Sequence, residues 1–63
     1  MKIEFSTSGS AFEDEYADEA TNYLLKREEV IRILSKIIHD IDYEYSHGPI
    51  MDINGNKIGE WSL

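Results

Sequence analysis

The amino-acid sequence predicts an α+β fold of order β-α-β-β, with one long amphipathic helix packed on a small antiparallel sheet. Three observations carry this reading. The N-terminus alternates apolar and polar residues, the middle repeats apolar residues at helical spacing, and Asn54-Gly55 sits between two short apolar runs. A length of 63 residues leaves room for one domain, residues 1–63. A chain this short has a thin stability margin, and no cysteine is present to supply a disulfide or a thiolate metal site.

Each element follows from its residues. In "MKIEF", Ile3 and Phe5 point one way and Lys2 and Glu4 the other, as in a half-buried strand. Gly9 is the flexible point of the loop "STSGS". Ser10 and Glu13 fit a capping box, which predicts a helical turn beginning there. From Ala20 onward, Ala20, Leu24, Ile31, Leu34, Ile38, Ile41 and Tyr45 recur at spacings of three and four, with Arg27 as one polar intruder. Val30, Ile33 and Ile37 widen that stripe on its flanks. The pattern predicts a helix over Tyr23–Ile38, extended to about Tyr43. Residues 10–22 read as helix or as loop, because Thr21 and Asn22 are weak helix formers. A single helix from Ser10 to Tyr45 would span roughly 54 Å, too long for so small a domain to cover. "DIDYEY", residues 40–45, also alternates, so a strand is the competing reading there. Gly48 suits a left-handed position just past the helix, and Pro49 cannot continue one.

The closing stretch "MDINGNKIGEWSL" admits a hairpin or a calcium loop. Asp52, Asn54 and Asn56 fill alternate ligand positions of a calcium-binding loop. Lys57 then stands where that loop needs glycine, and Leu63 where it needs a bidentate glutamate, so the hairpin is preferred. Met51, Ile53, Trp61 and Leu63 are the expected cover for the helix. Ile58 falls out of phase with Trp61 unless a bulge at Gly59 restores it, and Gly59 would also let a backbone or ring approach closely.

Charge narrows the function classes. Six basic against thirteen acidic residues give a net charge of −7. This disfavours direct nucleic-acid binding and adhesion to anionic membranes. The N-terminus has no apolar run of signal-peptide length, which predicts a cytosolic protein. His39, Asp40, Asp42 and His47 match no metal-ligand spacing, and a solvated helix end explains them better. No cofactor is expected. No serine stands in a nucleophile motif, and a chain of this length has little room for a substrate pocket, so an enzyme is not expected.

The informative charges are clustered. Glu13, Asp14, Glu15, Asp18 and Glu19 form one acidic group; Asp40, Asp42, Tyr43 and Glu44 form another; Lys26, Arg27, Arg32 and Lys36 lie between. Acids beside exposed tyrosines suit a protein-binding face, because Tyr offers contact area at low entropic cost. The competing readings are ordinary solvated faces and mimicry of the DNA phosphate track. The apolar stripe likewise either packs wholly on the sheet or pairs with its twin in a homodimer.

One resemblance runs through these motifs. Lys2–Phe5, Phe12-Glu13-Asp14, Arg32-Ile33-Leu34 and the closing D-x-N-G-N-x-x-G-x-W of Asp52–Trp61 resemble, in order, a family of short uncharacterised phage and prophage proteins. The stretch from Glu15 to Glu29 departs from that family in being longer and more acidic. The resemblance implies fold and origin and leaves activity open. By class it is similar to small anti-defence inhibitors of the anti-CRISPR or anti-restriction type. The leading expectation is a non-enzymatic phage accessory protein that binds a host or phage protein through its acidic, tyrosine-bearing surface. The alternative is inhibition of a nucleic-acid-binding defence protein by DNA mimicry.

Overall fold

The alternating N-terminus and the two apolar runs around Asn54-Gly55 form one antiparallel sheet, and the helical stretch lies across one face of it. The computed structural model describes residues 1–63. Its elements are β1 (Lys2–Phe5), α1 (Glu19–Asp42), β2 (His47–Met51) and β3 (Lys57–Ser62). The strand order is β1-β3-β2, so the last strand is central. Ser6 N–H donates to the Ile58 carbonyl at 3.0 Å and Leu63 N–H to the Ser46 carbonyl at 2.9 Å. Antiparallel ladders alternate, so from Gly59 onward even-numbered β3 residues bond β1 and odd-numbered ones bond β2. Pro49 lies opposite Glu60, where its backbone nitrogen faces the outer edge of β2 and no donor is missed.

Register sets the helix-facing side. Ile3 and Gly48 flank Trp61, and Phe5 and Ile50 flank Gly59. A Cβ on Gly59 would lie 2.0 Å from the Glu4 carbonyl oxygen and 2.6 Å from Phe5 Cα, so only glycine lets β1 pair so closely. Ile50 faces Gly59 while Met51 faces Lys57, which makes Ile58 the extra residue of a bulge. Half-buried Ile58 thereby packs against the core, as the phase mismatch with Trp61 requires.

The helix begins later than the Ser10–Glu13 pair implies. Phe12 and Glu13 both donate to the Gly9 carbonyl and make one isolated turn. The true N-cap is Asp18, whose carboxylate accepts the Thr21 N–H at 2.7 Å. Residues 10–18 are therefore loop. At the other end, Glu44 N–H donates to Ile41 C=O at 2.9 Å and Tyr45 N–H to Asp40 C=O at 3.0 Å. That pair of bonds is a Schellman closure with Glu44 in the left-handed position, at φ 69°. Gly48, expected at that position, lies within β2, and residues 40–42 are helix rather than strand.

The core is Phe12, Ile33, Ile37, Ile50 and Trp61, with Phe5, Ala11, Val30, Ile41 and Ile58 packed around it. Two expectations need correction. Of the hairpin residues expected to cover the helix, only Trp61 does, joined by Ile50. Met51, Ile53 and Leu63 are exposed, because β2 ends at Met51, Ile53 belongs to the turn, and Leu63 lies past the end of β3. On the helix, the flank Val30-Ile33-Ile37 packs on the sheet, and Leu24, Ile31, Leu34 and Ile38 of the central stripe face outward. No helix is long and apolar enough to cross a membrane.

Two substitutions test this reading by urea unfolding. Glu44→Gly relieves a left-handed side chain and removes a negative charge from the helix C-terminus, so it stabilises by about 1 kcal/mol. Gly59→Ala forces β1 away from β3 and destabilises by about 3 kcal/mol. An unchanged midpoint for Gly59→Ala would show that the close approach is not required.

Candidate functional site

Two acidic side chains are buried, Glu29 and Asp52, and both hold the hairpin loop. The Glu29 carboxylate accepts the Ile53 N–H at 2.8 Å and is bound by Arg32 one helical turn away. Arg32 Nη2 also donates to the Met51 carbonyl at 2.8 Å. The helix thus grips the backbone on both sides of Asp52. Asp52 organises the loop from within. Its Oδ1 accepts the N–H groups of Asn54 (3.0 Å) and Asn56 (2.9 Å), and its Oδ2 accepts the Asn56 side-chain amide at 3.2 Å. Asp52 N–H donates to Asn56 C=O and Gly55 N–H to Asp52 C=O, with Gly55 at φ 84°. This is a three-residue hairpin loop with glycine in the left-handed position. The D-x-N-G-N string spends its carboxylate on three nitrogen donors, and no group of three His, Asp or Glu side chains converges as a metal site would need.

These bonds, the Asn56 N–H foremost, hold the Asp52 carboxyl below the ordinary aspartate range; the Asn56 amide, the Asn54 N–H and the Arg32 charge act the same way, and partial burial opposes them.

The acids picked out as partner-binding lie at opposite ends of α1. Its 24 residues are about 36 Å long, so the two groups form no single site. In the first group, Asp14 is committed to structure: its N–H donates to Asn22 Oδ1 at 2.8 Å and its Oδ1 accepts the Tyr16 N–H at 2.9 Å. Asp18 is the N-cap. Glu13, Glu15 and Glu19 are exposed, beside the most exposed aromatic, Tyr16. In the second group, half-buried Asp40 is bound by Lys36. Asp42 is exposed at the end of α1, Tyr43 is the C-cap with its ring 4.6 Å from that of His39, and Glu44 takes the left-handed turn.

Two concave regions carry less chemistry than their size suggests. A hollow of about 640 Å3 over the outer sheet face is lined by Lys2, Glu4, His47 and Glu60, whose charges are largely paired. A groove of about 370 Å3 between α1 and β2 is lined by Arg32, Lys36, Asp40 and Pro49. Its charged groups are bonded within the chain, and Pro49 removes a donor from the strand edge an extended peptide would need.

The feature without a partner is the outer face of α1. Leu24 (56 % exposed), Ile31 (59 %), Leu34 (38 %) and Ile38 (68 %) line one side, with Tyr23 and Arg27 beside them. Sequence reasoning found these residues and left open whether they faced the sheet or a partner. The signal that could have separated the two faces is Glu29: it shares a helical side with Ile33 and Ile37, and only on the sheet side does it reach loop N–H donors. No protein-family model matches the chain, and neither does any curated protein or solved structure.

The hairpin chemistry predicts the pH profile. A carboxyl with a lowered folded pKa stabilises above its unfolded value, and that contribution is lost as pH falls through the folded one. Asp18, Asp52 and Glu60 are all shifted down, so the wild-type Tm falls as pH drops from about 5 to about 2. Asp52→Asn should lower Tm at pH 7 and flatten that slope. Parallel pH profiles for the two proteins would contradict the assignment.

Proposed function

We propose that the chain is a non-catalytic protein-binding module, an accessory protein of phage or prophage origin, and that it binds through the outer face of α1. The observation that carries this reading is the row Leu24, Ile31, Leu34 and Ile38. Single exposed apolar residues are ordinary, but four aligned on one rigid helix face form a patch of the kind that marks interaction sites. The opposite side of the helix is fixed to the sheet by Ile33, Ile37 and Glu29, so the patch is presented without a backbone ordering cost at binding.

The exposed acids act as a rim in this reading. Glu13, Glu15 and Tyr16 precede α1, Glu19 opens it, and Asp42, Tyr43 and Glu44 close it. Rim charges steer encounter and select a partner more than they set affinity. DNA mimicry has less support, because Lys26, Arg27, Arg32 and Lys36 interrupt the acids along the helix. The phage origin rests on the sequence resemblance of four motifs, Lys2–Phe5, Phe12-Glu13-Asp14, Arg32-Ile33-Leu34 and Asp52–Trp61, and a cytoplasmic host or phage protein is the partner class that origin suggests.

The test is capture from host-cell extract with the full chain as bait, followed by two variants whose fold is checked by circular dichroism. Ile31→Glu should abolish capture of any protein the wild type retains. Glu13→Lys/Glu15→Lys/Glu19→Lys, which spares Asp14 and Asp18, should weaken capture about tenfold and reduce its salt sensitivity. Undiminished capture by Ile31→Glu would overturn the reading.

A further inference from the structure

The outer face of α1 has a charge pattern of its own. Arg27 makes no ion pair within the chain; its guanidinium lies 5.6 Å from the centre of the Tyr23 ring, which holds it beside the apolar row. Asp42 also has no ion-pair partner in its own chain, and it flanks the same row fifteen residues on, about 22 Å along the axis. A cation near one end of an apolar row and an anion near the other match a copy of the same row running in the opposite direction.

We infer that, until another protein displaces it, the occupant of this face is a second copy of the chain, its α1 packed antiparallel, with Ile31 against Ile38, Leu34 beside Ser35 at the two-fold axis, and Arg27 paired with Asp42 of the second copy. The inference rests on reading the outer face as the contact surface. Residues that pair in this register have numbers summing to 69, so Arg27 meets Asp42 and Ile31 meets Ile38, twice each by symmetry. An isologous contact of this kind closes on itself and stops at two chains. Parallel pairing would set Arg27 against Arg27 and Asp42 against Asp42, two repulsive contacts in place of two attractive ones. The spacing also suits helix pairing: Leu24, Ile31 and Ile38 repeat every seven residues, with Leu34 between the last two.

Area sets the strength. Half the girth of a helix about 36 Å long and about 11 Å across offers roughly 600 Å2 per chain. A standard stable interface uses about 800 Å2 per partner, so this contact belongs to the small, weakly associating class, for which a reversible dimer is expected.

Sedimentation velocity on the full chain from about 1 to about 300 μM tests the assignment. The wild type should pass from monomer to dimer mass within that range. Ile38→Glu, at a position too exposed to threaten the fold, should raise the dissociation constant at least tenfold. Arg27→Asp and Asp42→Arg should each raise it about tenfold, and the double variant should return it to within about threefold of wild type. A wild type that stays monomeric throughout overturns the second-copy assignment. A dimer that ignores Ile38→Glu, or one indifferent to both single charge changes, overturns it as well. The contact-surface reading fails independently, through undiminished capture by Ile31→Glu, so the two failures are distinguishable.

Discussion

The hydrogen bond from the Ile53 N–H to the Glu29 carboxylate is the constraint on which the arrangement depends. It joins the helix to a loop twenty-four residues away in sequence, and Arg32 completes the grip through the Met51 carbonyl. A domain of this length has a total stability of roughly 3–9 kcal/mol at 0.05–0.15 kcal/mol per residue. Removing one partner of a buried charge pair costs about 3–5 kcal/mol, and somewhat less here because Arg32 is partly exposed. A single carboxylate therefore accounts for a large fraction of the margin. The apolar core alone is small, five buried side chains, and one of these, Phe12, is supplied by a loop.

The clamp also decides the rotation of α1. Apolar residues surround much more of this helix than a three-stranded sheet can cover, so hydrophobicity alone permits more than one rotation. Glu29 can satisfy its carboxylate only where the loop offers N–H donors. Once it points at the hairpin, Ile33 and Ile37 face Ile50 and Trp61, and Leu24, Ile31 and Ile38 face away. The element that fixes the fold is thus the one that leaves the outer apolar row of α1 exposed.

Local chemistry made the strands, the hairpin and the helix legible in the sequence. Asn54-Gly55 has few conformations open to it, alternation in "MKIEF" has one strand reading, and the mismatch between Ile58 and Trp61 called for a bulge. What stayed hidden depended on distant partners. Ser10 and Glu13 have the spacing of a capping box, but Asp18 captures the N-cap because the loop must first deliver Phe12 to the core. Gly48 looked like a helix stop, yet Glu44 accepts the left-handed turn and Gly48 instead lies beneath the Trp61 ring, where a Cβ would come within 3.1 Å of Nε1. The clustered acids were visible as charge, while the structural duties of Asp14, Asp18 and Asp40 were not, since each depends on a specific donor.

The most direct test of the central claim is native-state hydrogen exchange at the Ile53 amide. A turn residue with an exposed side chain has no strand ladder to protect its N–H, so slow exchange there reports the Glu29 bond. The amide should exchange within about tenfold of the slowest core amides in the wild type, and should lose most of that protection in Glu29→Ala, which leaves the Ile53 N–H no side-chain acceptor. Exchange at the free-chain rate in the wild type would contradict the account, because the loop would then open without regard to the helix.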